Sequence, residues 1–183
     1  AFTWSHMTTD FQESWGAVNK DYVVANRLFT YFLDIQDHDQ CAYYENIVKI
    51  SPAGTQIMGW TDELKADKLF DEYGYFMVPF ISVENMTVMS SFPSVQGTPI
   101  EPKALKAEPN TVYIAMLVSD GDNLLHTMIY MPYTIEESAA YGDVPVTWII
   151  NPAIVDLAPR VFTWYEQVMN EGGQEMGAMM GDG

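Results

Sequence analysis

The sequence predicts an α/β fold, with helices and strands in alternation around a mostly parallel sheet that forms part of an incomplete or distorted (β/α) barrel. Three observations predict it. Short apolar runs of strand length alternate with stretches whose apolar residues recur every three or four positions, and strict alternation implies right-handed crossovers between parallel strands. The run Val112 to Val118 is apolar throughout, which reads as a central parallel strand covered on both faces. Strand-like runs also stop in carboxylates and amides, and in parallel sheets the ligand crevice lies at that carboxyl edge.

Taken in order, Asp10 to Arg27 places Phe11, Trp15, Val18, Tyr22 and Ala25 on one helical face. Leu28 to Leu33 reads as a strand ending in Asp34, and Cys41 to Ile50 has helical spacing. Pro52 to Gly54 is a turn, and Thr55 to Trp60 a second strand. The next helix, Glu63 to Tyr73, stops at Gly74, as the preference for a left-handed glycine after a helix predicts. Tyr75 to Val83 is a third strand, in which Pro79 marks a bulge or a sheet edge. Residues 86–110 have no clear period and read as a long loop excursion. After the apolar run, Leu124 to Tyr133 is helical, and Thr134 opens a second short helix with Glu137 as its capping-box partner. Pro145 to Ile150 is the fifth strand, Leu157 to Asn170 a helix stopped by Gly172-Gly173, and Glu175 to Met180 a last strand. The whole of 1–183 reads as one α/β domain and a segment of a longer protein, with apolar surface exposed near Glu175 to Met180.

Composition narrows the function classes. With 25 acidic against 8 basic residues the formal charge is -17, which repels phosphate backbones and anionic lipid surfaces and argues against nucleic-acid and membrane partners. A single cysteine, Cys41, excludes an internal disulfide and a cysteine-cluster metal site. No apolar run reaches the length of a membrane span. Oligomeric state leaves no signature.

Reading off the carboxyl ends of the expected strands gives Asp34, Trp60 with Glu63, Glu84 with Asn85, Asp120 with Asp122 and Asn123, Asn151, and Asp182. Carboxylates and amides hydrogen-bond hydroxyls, and an indole face stacks on the C–H surface of a sugar ring, so this set suits a carbohydrate substrate. Asp120 and Asp122 are the candidate catalytic pair, since glycoside hydrolysis uses two carboxyl groups. Their duller reading is helix capping, and that of Trp60, Trp148 and Trp164 is core packing. No cofactor is expected, although the Asp-Gly-Asp spacing also offers hard oxygen ligands to a divalent cation. A metal-dependent deacetylase would need these acids to meet histidine, and only His6, His38 and His126 are present. A non-catalytic glycan-binding or scaffold module is the other alternative.

Several blocks, in order, resemble the GxGYxYP family of glycoside hydrolases. They are Asp21-Tyr-Val-Val with Leu28 to Asp34, Gly59-Trp60 with Asp62-Glu63, Tyr73-Gly74 followed by Glu84-Asn85-Met-Thr-Val, Val118-Ser-Asp-Gly-Asp-Asn123, and Val146 to Pro152 through Leu157-Ala-Pro159 and Trp164-Tyr165. Gly181-Asp-Gly183 looks like the first half of the motif that names the family. Leu125 stands where the family often has Gln, and Met180 where it has Ser. The resemblance implies a barrel-like catalytic region in an exported protein, extracellular, periplasmic or at the cell surface, acting on carbohydrate. Asp120, Asp122 and Asn123 are its matched motif positions.

Overall fold

The computed structural model describes residues 2–4, 20–60, 63–79, 83–97, 106–138 and 141–178. Two parallel sheets carry the fold. The first has the order β2-β1-β3-β4, with β1 at Phe2–Trp4, β2 at Thr30–Tyr31, β3 at Gln56–Trp60 and β4 at Phe76–Pro79. The second has the order β5-β6-β7, with β5 at Leu117–Val118, β6 at Thr147–Ile150 and β7 at Glu175–Ala178. Every pairing is parallel. The α/β class therefore holds, but the described strands close no barrel. In a barrel each strand lies beside its sequence neighbours, whereas β1 here sits between β2 and β3, which is the strand order of a doubly wound sheet.

Helices cover the first sheet on both sides. Alternate residues of a strand face opposite ways, so Ile57 and Met77 join one cluster and Met58 and Val78 another. The first cluster is closed by Tyr44 and Val48 of α2 (His38–Ile50) and by Ala66 and Phe70 of α3 (Glu63–Tyr73). The second reaches into the second sheet through Trp148 and Ile150, and takes in Tyr165 and Met169 of α7 (Pro159–Gly172). The short helices α1 (Lys20–Ala25), α4 (Met86–Met89) and α6 (Ile154–Leu157) pack around it through Tyr22, Met86 and Ile154. Among the described residues no helix is long and apolar enough to cross a membrane.

Several elements match expectation. Helix α3 has the expected bounds, and Gly74 follows it at φ +69. Pro79 ends the edge strand β4, where its missing N–H costs no ladder bond to a further strand. Helix α2 begins at His38 rather than Cys41, because the Asp37 carboxylate accepts the N–H groups of Asp39 and Gln40 and starts the helix early. Of the expected first helix, Lys20–Ala25 is helical and a turn at Asn26 and Arg27, the latter at φ +51, ends it two residues early, while residues 10–19 lie outside the described residues; of the last strand, Glu175–Ala178 is described and residues 179–180 are not. Within the expected excursion, Met86–Met89 is helical and residues 92–97 are docked on the α6–α7 region. Ser94 Oγ donates to Asp156 at 2.9 Å, and the Arg160 guanidinium lies 5.2 Å from the Phe92 ring.

Two expectations are overturned. The run Val112 to Val118 is not a buried central strand. Only Leu117–Val118 pairs, β5 is an edge strand, and Val112 is 84% exposed, Ile114 81% and Leu117 61%. Residues 112–116 form no strand, and burial would need a second neighbour and cover on both faces, neither of which the described chain supplies. Exposed apolar surface thus lies along this run, while Met176 of β7 packs against the core. Nor does Thr134 open a helix. Residues 124–137 form one helical run comprising a π-helical turn, His126–Tyr130, and α5 (Met131–Glu137). Thr134 lies inside it and donates its hydroxyl back to the Tyr130 carbonyl at 2.8 Å, the usual recourse of a threonine in mid-helix.

Candidate functional site: the loop between β5 and the π turn

The loop Ser119 to Asn123 leaves the carboxyl end of β5 and lies against the carboxyl end of β6. Contact is so close that a Cβ added to Gly121 would fall 1.6 Å from the Ile149 carbonyl oxygen, so only glycine fits there. Asp120 is exposed and holds the left-handed conformation, φ +67, which is uncommon for a non-glycine residue. Asp122 is half-buried.

Behind these acids stands a buried polar network. Asn123 is buried, and its side-chain oxygen accepts the Leu125 N–H at 2.9 Å while its carbonyl accepts the Thr127 N–H at 3.1 Å. That pattern starts the helical run. Asn151 is 0% exposed; its amide donates to the Asp122 carbonyl and accepts the Ala153 N–H at 2.9 Å. The Thr127 hydroxyl donates to the Gly121 carbonyl at 2.5 Å and accepts the Asn151 N–H at 3.1 Å. Tyr165 donates its hydroxyl to the Thr127 carbonyl at 2.6 Å, and burial pushes its phenol well above the usual range. Loop, strand end and helix α7 are thereby tied together.

The structure brings Asp122, Asn123 and Asn151 together and leaves Asp120 at the exposed tip. The remaining residues of the set lie along the first sheet. Asp34, three residues past β2, is half-buried and accepts the Gln36 N–H at 2.8 Å in a turn. Trp60 ends β3 and Glu63 begins α3. Glu84 is exposed, and Asn85, also exposed, precedes α4 at φ +59 without a side-chain cap bond. Helix α4 is capped from a distance instead, where Asp21 accepts the Thr87 N–H at 3.0 Å. The slight burial of the Asp21 carboxyl pushes it up, but hydrogen bonds from the Thr87 N–H and from nearby backbone outweigh that and leave the carboxyl below its ordinary value. Asp182 lies outside the described residues.

Of the histidines, His38 is exposed beside Asp39, the His126 ring packs 5.1 Å from that of Tyr130, and His6 lies outside the described residues. Among the described residues no three His, Cys, Asp or Glu side chains converge as a metal site would require. At the opposite, amino-terminal edge of the second sheet, a cavity of about 640 Å³ is lined by Tyr141, Trp164, Glu136, Asp143 and Glu171. Sequence reading singled out neither Thr127 nor Tyr141; both are polar residues within largely apolar stretches, and only their tertiary partners distinguish them.

Residues 110–174 match the model of the "GxGYxYP putative glycoside hydrolase C-terminal domain", and residues 5–91 match that of the "GxGYxYP third domain". The chain is similar in fold to a crystal structure of a putative hydrolase from Bacteroides thetaiotaomicron, with a TM-score of 0.75 and 23% identity over 96% of this chain. It spans 34% of that protein's length. Among curated proteins none matches.

Proposed function

Because the chain belongs to the GxGYxYP family, we propose that it carries the carboxylate loop of a carbohydrate hydrolase, with Asp120 and Asp122 as the reacting pair. The observation that carries this reading is the loop itself: two acids flank a glycine pressed on a neighbouring strand, at the sheet edge where parallel folds place their ligands. Cleavage of a glycosidic bond adds water across it. One carboxyl group protonates the departing oxygen, and the other either activates the water or attacks the anomeric carbon first; a separation of ~5 to 5.5 Å gives retention and ~6.5 to 9.5 Å inversion. The tip position of Asp120 gives a glycan access, and Asp122 sits deeper.

In this reading Asn123 and Asn151 serve the loop rather than the sugar, because the Asn123 side-chain oxygen and both ends of the Asn151 amide are already engaged there. Asp34, Trp60, Glu63, Glu84, Asn85 and Asp182 remain the proposed sugar contacts. Independence of cofactors and an exported location belong to the same proposal. The test is Asp120→Asn and Asp122→Asn in the full-length protein, assayed on a panel of plant and host glycans. At least one variant should lose ~10²-fold or more in turnover with an unchanged melting temperature. Normal turnover by both would leave the loop structural.

A glycan-binding module without turnover is the second reading, and the cavity bearing Trp164 and Tyr141 is what favours it. There, Trp164→Ala would abolish glycan binding while the two Asn variants bind as the parent does.

A further inference from the structure

We propose that Thr127 is the positioning residue of the Asp120–Asp122 loop, an assignment that rests on the hydrolase reading above. Thr127 is 0% exposed, and each of its polar groups has a partner. Its N–H serves Asn123, its hydroxyl joins Gly121 to Asn151, and its carbonyl is held by Tyr165.

The carbonyl partner follows from the helix register. In the π turn the Met131 N–H donates to the His126 carbonyl, five residues back, rather than to Thr127. The same register would pair the Thr127 carbonyl with residue 132, which is proline and has no N–H. A buried carbonyl is thus left without a backbone donor, and the Tyr165 phenol supplies one.

The hydroxyl acts on the loop. Gly121, whose carbonyl receives it, lies between the two acids, and Asp120 beside it is held in a left-handed conformation that surrounding structure must impose. The shared hydroxyl also fixes the loop against the first residue after β6. Thr127 touches no substrate; it sets where the carboxylates stand.

The test uses the full-length protein with Thr127→Val, Thr127→Ser and Tyr165→Phe, reading kcat and KM on a turned-over glycan and deuterium uptake in peptides spanning residues 119–127. Valine keeps the shape and removes the hydroxyl. It should lower kcat by ~10 to 10²-fold with KM within about two-fold, since misplacing a reacting group costs rate, and it should raise uptake in the loop but not in α3. Serine should restore both readouts to near the parent values. If the valine variant does not fold, Tyr165→Phe decides, with the same changes at smaller amplitude. Unchanged uptake in the loop overturns the proposal, as does raised uptake with unchanged kcat, or a serine variant as impaired as valine. A parent protein that turns over no glycan sinks the hydrolase reading alone, and the uptake measurement then still decides whether Thr127 holds the loop.

Discussion

The two sheets are built from the same kind of strand, yet they are stabilised differently. The first is sandwiched: Ile57 and Met77 face the α2–α3 layer and Met58 and Val78 face the main core. In the second, Trp148 and Ile150 are buried on one face, while Thr147 and Ile149 on the other are half-exposed and the run entering β5 is open to solvent. Apolar cover holds the first sheet in place. At the carboxyl end of the second, a buried polar network does that work, and this is the end that carries the candidate acids. A loop fixed by directional bonds keeps its side chains in one geometry even where apolar packing is incomplete.

Substitutions sharpen this contrast. The largest effect is expected at Gly121→Ala, because the added carbon collides with the Ile149 backbone and the strand end must move. We expect a loss of at least ~3 kcal/mol in urea unfolding. Gly74→Ala, in open space at φ +69, should cost only the left-handed penalty of about 1 to 2 kcal/mol. Equal costs would mean that the loop gives way more easily than its packing implies. Next come apolar truncations: Ile57→Ala in the first sheet should cost ~2 to 5 kcal/mol, and Leu117→Ala in β5 less than ~0.5 kcal/mol in the 183-residue chain. A costly Leu117→Ala would show that β5 is covered in solution.

Tyr165→Phe should cost ~1 to 3 kcal/mol by leaving the Thr127 carbonyl unpaired, measured by thermal unfolding. The smallest effect concerns acid. Since the Asp21 carboxyl is lowered in the folded state, its contribution is fully present above the ordinary value of 3.8 and is lost as pH falls through the lowered one. Melting curves of Asp21→Ala and the parent should differ slightly at neutral pH and converge below that value. A gap that widens in acid would have the wrong sign.

In the first sheet β3 and β4 were legible because their signals are local, whereas β1 at Phe2–Trp4, the strand between β2 and β3, is too short to carry a periodic signal and was not among the expected strands. Gly74 ends α3 by its own conformational freedom, and Pro79 declares an edge by the donor it lacks. Helix α2 was read three residues short because the cap, Asp37, sits in a polar stretch that also suits a loop. The second sheet was harder, for reasons that are not local. Val112 to Val118 has the composition of a buried strand, and composition cannot say whether another strand lies beside it. The Asp-Gly-Asp-Asn loop was recognisable, including the glycine between its acids. What Asn151 and Thr127 do for it depends on contacts between elements more than 20 residues apart, which no spacing rule contains.

The central claim is that the candidate loop is rigid although the strand leading into it is exposed. Amide hydrogen exchange on the 183-residue chain tests it directly. The account predicts that the amides of Leu125, Thr127, Asn151 and Ala153, each donated within the network, exchange as slowly as those of β3, while the amides of residues 112–116 exchange fast. Fast exchange at all four network amides, in step with residues 112–116, would contradict it.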